Sequence, residues 1–408
     1  MKLTINILVF LIIVNAAFTQ GGSNYSILGI GDINYGGNAH YDALGGTSIA
    51  FPSITGINLK NPALWSNVTT TRLQAGYKFN QHINSNNDLS TLQNNGSLSG
   101  FSVLLAIDTN IGISTSLGIY PYSTINYLTA TKINTKIQDL PIFGTNTYQG
   151  KGGISAAYIG ISTKIIDELS VGLSILSAFG KVEHSRTTEY TDDPYLFKYT
   201  SKKEDVFSGI GLKGGLVTNP SNNFYIGYSF EYFKNLDVES KIIYSSPLIG
   251  DTSVSVQENF VLPISQGFGL GFQSGIFQFG LDFSFQNYED LKYNVNDNTK
   301  FTDSWQLNFG VNRIGNQSIN AKSLDKVSYK FGFSLKKLYY KILNNDIYEY
   351  SFSTGALIPW SDTFNTDISL TFGTRGINTN GLIREYFGRL NIDLSIGEVW
   401  FIPFKREY

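Results

Sequence analysis

Three histidines occur in the chain, His40, His82 and His184, and there is no cysteine. Few side chains are therefore available for proton transfer, and none for thiol chemistry, thiolate metal binding or lipidation. His184 is followed by Ser185, which invites a hydrolase reading. A serine–histidine dyad needs both side chains to meet beside a third, orienting group, whereas neighbours on a strand point to opposite faces. A solvated histidine is the plainer reading. The carboxylate pairs Glu204–Asp205 and Glu289–Asp290 have the chemistry to hold a divalent ion or the cations around lipopolysaccharide, but they fall in polar insertions that need charge for solubility. Asp192-Asp193-Pro194 reads as a turn. With no nucleotide motif and no catalytic cluster, the sequence points to a non-enzyme that needs no cofactor and no metal.

A second set of charges is spread along the chain: Arg72, Lys78, Lys213, Glu231, Asp282, Lys330, Asp367 and Asp393. Each sits in the polar phase of a segment that alternates polar and apolar residues. Facing a shared interior, such charges are expected to pair across it or with whatever fills it. Arg72 and Lys78 are the candidates for meeting the carboxylate of an amphiphile, because a buried anion needs a cationic or hydrogen-bonding partner.

The elements that carry these charges are strands. Phe277 to Phe285 reads FQFGLDFSF, with Phe277, Phe279, Leu281, Phe283 and Phe285 in one phase and Gln278, Gly280, Asp282 and Ser284 in the other. Side chains alternate faces along a strand, so one face is apolar and the other polar. Fourteen such segments follow one another, beginning at 72–80, 101–107 and 111–120 and ending at 386–396. A sheet of that length must close, and the economical neighbour for its apolar face is lipid, which admits only helices and closed barrels. Charged residues make up only 15% of the chain and aromatics 14%, with 25 Tyr and 29 Phe. Past the N-terminus no apolar run approaches the length of a spanning helix, and a net charge of −2 offers nucleic acid no basic footprint. The expected fold class is an all-β transmembrane antiparallel barrel of about fourteen strands in the cell outer membrane.

Short spacers such as Asp108-Thr109-Asn110 and Ser274-Gly275 alternate with long insertions at 81–98, 121–152, 181–206, 235–263 and 288–302. That asymmetry matches short periplasmic turns and long external loops, with both termini periplasmic. The 314–325 segment departs from it. Pro121, directly after Tyr120, is expected to end the third strand. The 121–152 insertion is apolar for an exposed loop, with Ile125, Tyr127, Leu128, Leu140 and Phe143, and the 235–263 insertion adds Leu236, Ile242 and Tyr244. Together they either form a groove that captures an amphiphile or bury one another.

Residues 1–19 read as a signal peptide, with Lys2, an apolar Ile5–Val14 core and a small-residue cleavage site. Residues 20–66 have no strand period but carry many glycines with Tyr35, Tyr41, Phe51 and Trp65. Such composition suits a compact plug better than a disordered tail, so the expected organisation is signal peptide, plug at 20–66 and barrel at 67–408.

Gly29-x-Gly31, then Ala43-Leu44-Gly45-Gly46-Thr47-x-x-Ala50, then Asn61-Pro62-Ala63-Leu64 resembles the N-terminal hatch signature of the FadL/OMPP1/TodX family of outer-membrane long-chain fatty acid transporters. Leu262-Pro263 before a Gly-rich strand also resembles that family, and the tail Arg375-Gly376, Gly381-Leu382-Ile383-x-Glu385 and Trp400-Phe401 is similar to versions common in Bacteroidetes and relatives. Unlike many family members, this chain has no acidic residue between Phe51 and Lys60. The resemblance implies a fourteen-stranded barrel closed by a hatch that carries Gly45, Gly46, Asn61, Pro62 and Ala63. It implies binding and energy-independent diffusion of fatty acids, lipids or hydrocarbons, which leave sideways where the third strand kinks. Partners would be those small molecules, outer-membrane lipid and lipopolysaccharide, with the protein a monomer. The alternative within the same fold is an accessory barrel that docks exported proteins.

Overall fold

A computed structural model describes residues 21–34, 37–85, 90–137, 140–191, 197–247, 250–294, 299–316, 318, 320–378 and 382–400. The expected signal peptide and the end of the chain beyond Trp400 lie outside these residues.

The N-terminal segment has little regular structure: 3-10 turns at Asn24–Ile27 and Pro62–Asn67, the two-residue strand β1 (Asp32–Ile33) and one helical turn, α1 (Ala39–Asp42). The barrel then runs through β2 (Thr71–Ser85), β3 (Ser90–Asp108), β4 (Ile113–Ile137), β5 (Leu140–Ile166), β6 (Leu169–Thr191), β7 (Tyr199–Ser221) and β8 (Phe224–Ser246). It continues through β9 (Gly250–Phe260), β10 (Ser265–Ser274), β11 (Phe277–Asn287), β12 (Thr299–Phe301), β13 (Asp303–Arg313), β14 (Ser328–Ile342), β15 (Asn345–Pro359), β16 (Phe364–Arg375) and β17 (Arg384–Glu398). Two staves are each broken once. β9 and β10 both pair with β8 on either side of Pro263, and β12 and β13 both pair with β14. The barrel therefore has fourteen staves, all antiparallel. It closes where β17 pairs with β2, from Arg384 opposite Ser85 to Glu398 opposite Thr71.

The faces follow the alternation. In β11 Phe283 is 43% exposed, whereas Asp282 and Ser284 on either side are buried. Phe283 lies between Phe268 of β10 and Leu307 of β13, so the outward residues form a continuous apolar belt across staves. The belt meets lipid and the polar phase meets the interior.

The expected long loops take a different form. Residues 81–85, 90–98, 121–137, 140–152, 181–191, 199–206, 235–246 and 250–260 are not loops but continuations of strands into tall hairpins. β5 is 27 residues long, which at about 3.3 Å per residue is roughly 90 Å of chain. The apolar belt of a barrel stands only about 25 Å tall, so the hairpins project well beyond it. Their Thr, Ser and Lys content reads as loop because no apolar face repeats there. Pro121 does not end its strand either. β4 passes through it with a register shift between Pro121 and Ser123. β3 leaves the ladder beyond Ile119, so β4 is an edge strand with a register shift at the proline, settings in a sheet that tolerate a missing N–H.

Candidate functional site

The inward face of the barrel is in contact with the chain's own N-terminus. Asp282 Oδ2 accepts the backbone N–H groups of Ser48 and Ile49 at 2.6 and 2.8 Å. Asp393 Oδ2 accepts that of Ala39 at 2.7 Å, while Ser99 and Gln74 donate to the same carboxylate. Lys213 Nζ donates to the Leu59 carbonyl at 2.8 Å and pairs with Glu231 at 2.6 Å. Lys330 pairs with Asp367 beneath His40. At the tall-hairpin end Arg375 spans Asp32 at 2.7 Å, Ser23 at 2.9 Å and Glu349. Backbone that forms no sheet or helix of its own has to find such partners, and here the wall supplies them.

Close approach is possible because the wall is bare where the segment lies. A Cβ on Gly332 would stand 2.0 Å from the Gly45 nitrogen, and one on Gly271 would stand 2.3 Å from the Ala50 oxygen. Gly45 itself turns at φ +67 with its Cα against the Phe333 backbone, a conformation and a fit that only glycine meets cheaply.

Among the described residues the wall parts between β3 and β4. β3 and β4 pair only between Phe101–Ile119 and Asp108–Ile113; beyond that β3 pairs with β2 alone and β4 with β5 alone. The N-terminal segment covers the parted edges. β1 pairs with β4, Asp32 opposite Thr124 and Ile33 opposite Ser123. Asn34 N donates to the Tyr122 carbonyl at 2.8 Å, and Ser26 Oγ accepts from Asn126 N at 3.0 Å. Higher up, Gln93 of β3 reaches across to the Leu128 carbonyl of β4 at 2.6 Å.

The residues singled out in the sequence fall into three places. Gly45 and Gly46 lie on β13–β14, and Asn61-Pro62-Ala63 on the glycines of β6 and β7, where Asn61 caps the 3-10 turn through Ala63 N at 3.1 Å. Lys78 pairs with Asp42 of α1 at 2.8 Å, and buried Arg72 donates to Ser395 at 3.3 Å. Ile125 and Tyr127 point inward and are buried, Leu128 takes the opposite phase, half-buried, and Phe143 is exposed on the outer side. Leu140 opens β5, but its side chain lies outside what is described. The apolar set is therefore split between faces. His184 Nδ1 meets Tyr127 Oη at 2.9 Å, and Ser185 turns away from it toward Gln149. Glu204 and Asp205 also diverge: Glu204 meets Lys202 and Lys181, and Asp205 accepts from Ser240 and Tyr293. Sequence reading missed Glu349, Arg375 and Glu385 as interior charges. Arg375 and Glu385 sit at strand ends beside a loop, where alternation gives no phase, whereas Glu349 lies within the alternation of β15, between outward Tyr348 and Tyr350, and was legible there.

Two hollows of about 120 Å³ each remain between segment and wall, lined by groups such as Asp42, Lys78, Lys336, Glu349 and Arg389. A third, of about 340 Å³, lies against His40, Ser53, Gln273 and Lys330. The first two are lined mainly by polar and charged groups and offer an acyl chain little, whereas the third also takes Ile54, Tyr225, Ile314 and Leu357 into its wall. The inward apolar residues of the tall hairpins are instead part of one buried cluster, in which Tyr25, Leu28 and Ile30 pack with Tyr122, Ile125, Tyr158, Phe233 and Leu236.

A closed antiparallel barrel with an apolar outer belt and a polar interior lined by its own N-terminus is an outer-membrane β-barrel of the FadL fold. The solved structures agree. A Pseudomonas aeruginosa FadL homologue superimposes with a TM-score of 0.61 at 10% identity, over 88% of this chain and 98% of that one. The Ralstonia pickettii toluene transporter TbuX gives 0.59 at 12% identity, over 89% and 99%, and the P. putida toluene transporter TodX gives 0.59 at 12%, over 90% and 100%. The resemblance noted in the sequence thus holds at the level of fold. The BamG family model matches residues 1–407, and the chain belongs to that family. No curated protein sequence matches.

Proposed function

We propose that this protein is a sealed outer-membrane barrel that docks another exported polypeptide, with residues 20–66 acting as a hatch that does not open for cargo. The observation that carries the reading is where the buried apolar residues lie: Tyr122, Ile125, Phe233 and Leu236 of the hairpins pack on Tyr25, Leu28 and Ile30 of the N-terminal segment, and the two hollows beside Lys78 are lined mainly by polar and charged groups. A conduit for long-chain amphiphiles needs the reverse, an apolar pocket with a few polar anchors. In this reading both termini are periplasmic, the hairpins stand outside, and the barrel itself is a single copy.

One observation favours transport, the activity named for TodX and TbuX. The β3–β4 seam is held by few bonds, and retreat of residues 21–34 would open the wall beside Lys78. Fatty acids or hydrocarbons would then cross by binding and diffusion. Mass spectrometry of the protein extracted in mild detergent separates the two. Docking predicts no stoichiometric lipid and a bound polypeptide; a fatty acid retained one to one overturns docking and supports transport.

A further inference from the structure

The tall hairpins build a projecting sheet from β4 to β9 with two lateral edges, and the two edges differ. The upper part of β4 carries Lys132 and Lys136, the cationic residues with which natural sheets prevent strand addition. β9, GDTSVSVQENF, has neither lysine nor proline. It pairs with β8 along its whole length, Leu236 opposite Phe260 to Ser246 opposite Gly250, and among the described residues its other edge pairs with nothing. Residues 250–259 are all exposed.

The chemistry of that edge is specific. On the inward face Phe260 is buried beside Leu236 and Val238, and the same face continues upward to Val254 and Val256, which stay 52% and 42% exposed. An added strand would cover both valines. On the outward side Asp237 and Glu239, opposite Asn259 and Gln257, line an open hollow of about 770 Å³ with a single amine, Lys292, and Glu258, in the phase of the valines, borders the same hollow. None of these three carboxylates has an ion-pair partner among the described residues. An exposed ladder of N–H and C=O groups, an apolar stripe in one phase and unpaired carboxylates beside it together select one kind of occupant.

We propose that the free edge of β9 is a strand-addition site that takes an extended segment of another polypeptide, apolar in one phase and basic in the other. The inference rests on the docking reading and names its contact surface.

The test uses the full chain in detergent micelles and two capped decapeptides, one alternating valine with lysine and the other valine with glutamate. Amide hydrogen exchange is followed at residues 250–260. With the lysine peptide at about ten times its dissociation constant, exchange there slows about tenfold. The glutamate peptide gives no slowing, and a V254K/V256K variant, with guards like those of β4, loses the effect while its barrel stays heat-modifiable on gels. No slowing with the lysine peptide, or equal slowing with both, overturns the proposal. So does protection that grows with protein concentration alone, which would make the occupant a second copy. Lipid content is measured separately, so a bare edge on a lipid-free barrel rejects strand addition without rejecting docking.

Discussion

At the residue scale the interior depends on a few wall groups that hold the N-terminal backbone. Asp282 serves two N–H groups at once, and hydrogen bonds to a charged acceptor contribute about 1.5–3 kcal/mol each. Asp282→Ala should therefore loosen residues 47–50 by about 3 kcal/mol, seen as faster local hydrogen exchange with the barrel intact. Gly332→Leu places a side chain where the Gly45 nitrogen lies. It should displace the 43–46 turn and raise ion conductance in planar bilayers; unchanged conductance would show that the turn is not part of the seal. Acid acts elsewhere. Glu204 sits on the β6–β7 hairpin above the belt, whose last outward apolar residues there are Phe179 and Val206. Hydrogen bonds from Lys202 and then Lys181 hold its carboxyl down at about 2. A depressed folded value gives stability that is complete above the unfolded value of about 4.3 and is lost as pH falls toward 2. Exchange in the hairpin should rise across that window, modestly and less so at high salt, and Glu204→Gln should flatten the rise. Of these groups the sequence exposed the ones inside alternating strands, Asp282, Asp393, Lys213 and Lys330. It hid Arg375, whose partners Asp32, Ser23 and Glu349 come from distant segments.

At the element scale alternation located every stave, because each has one face in lipid and one in the polar interior. It could not tell hairpin from loop above the membrane, where both faces are wet and the period vanishes. The seam was legible only as Pro121; that β1 would cover it was not, since a two-residue strand has no pattern. The pairing of Ile33 with Ser123 makes the cover testable. Directly opposed strand residues lie within the Cα range of a disulfide, and the chain has no cysteine to interfere. Ile33→Cys with Ser123→Cys should oxidise spontaneously in the purified protein. A pair that stays reduced would place β1 away from β4.

At the scale of the whole molecule the outward belt demands lipid, while the interior is filled from within. In the docking reading proposed above, the same chain makes a membrane-spanning body and closes its bore, leaving the projecting sheet as the part free to meet other molecules. A sealed bore is the central claim, and uptake of labelled oleate into liposomes containing the purified, signal-cleaved protein tests it most directly. With a sealed bore, uptake is no faster than in protein-free liposomes, both for the unaltered chain and for the double-cysteine variant with its β1–β4 cross-link formed. Uptake that depends on the protein, and that oxidising that cross-link abolishes, would contradict it.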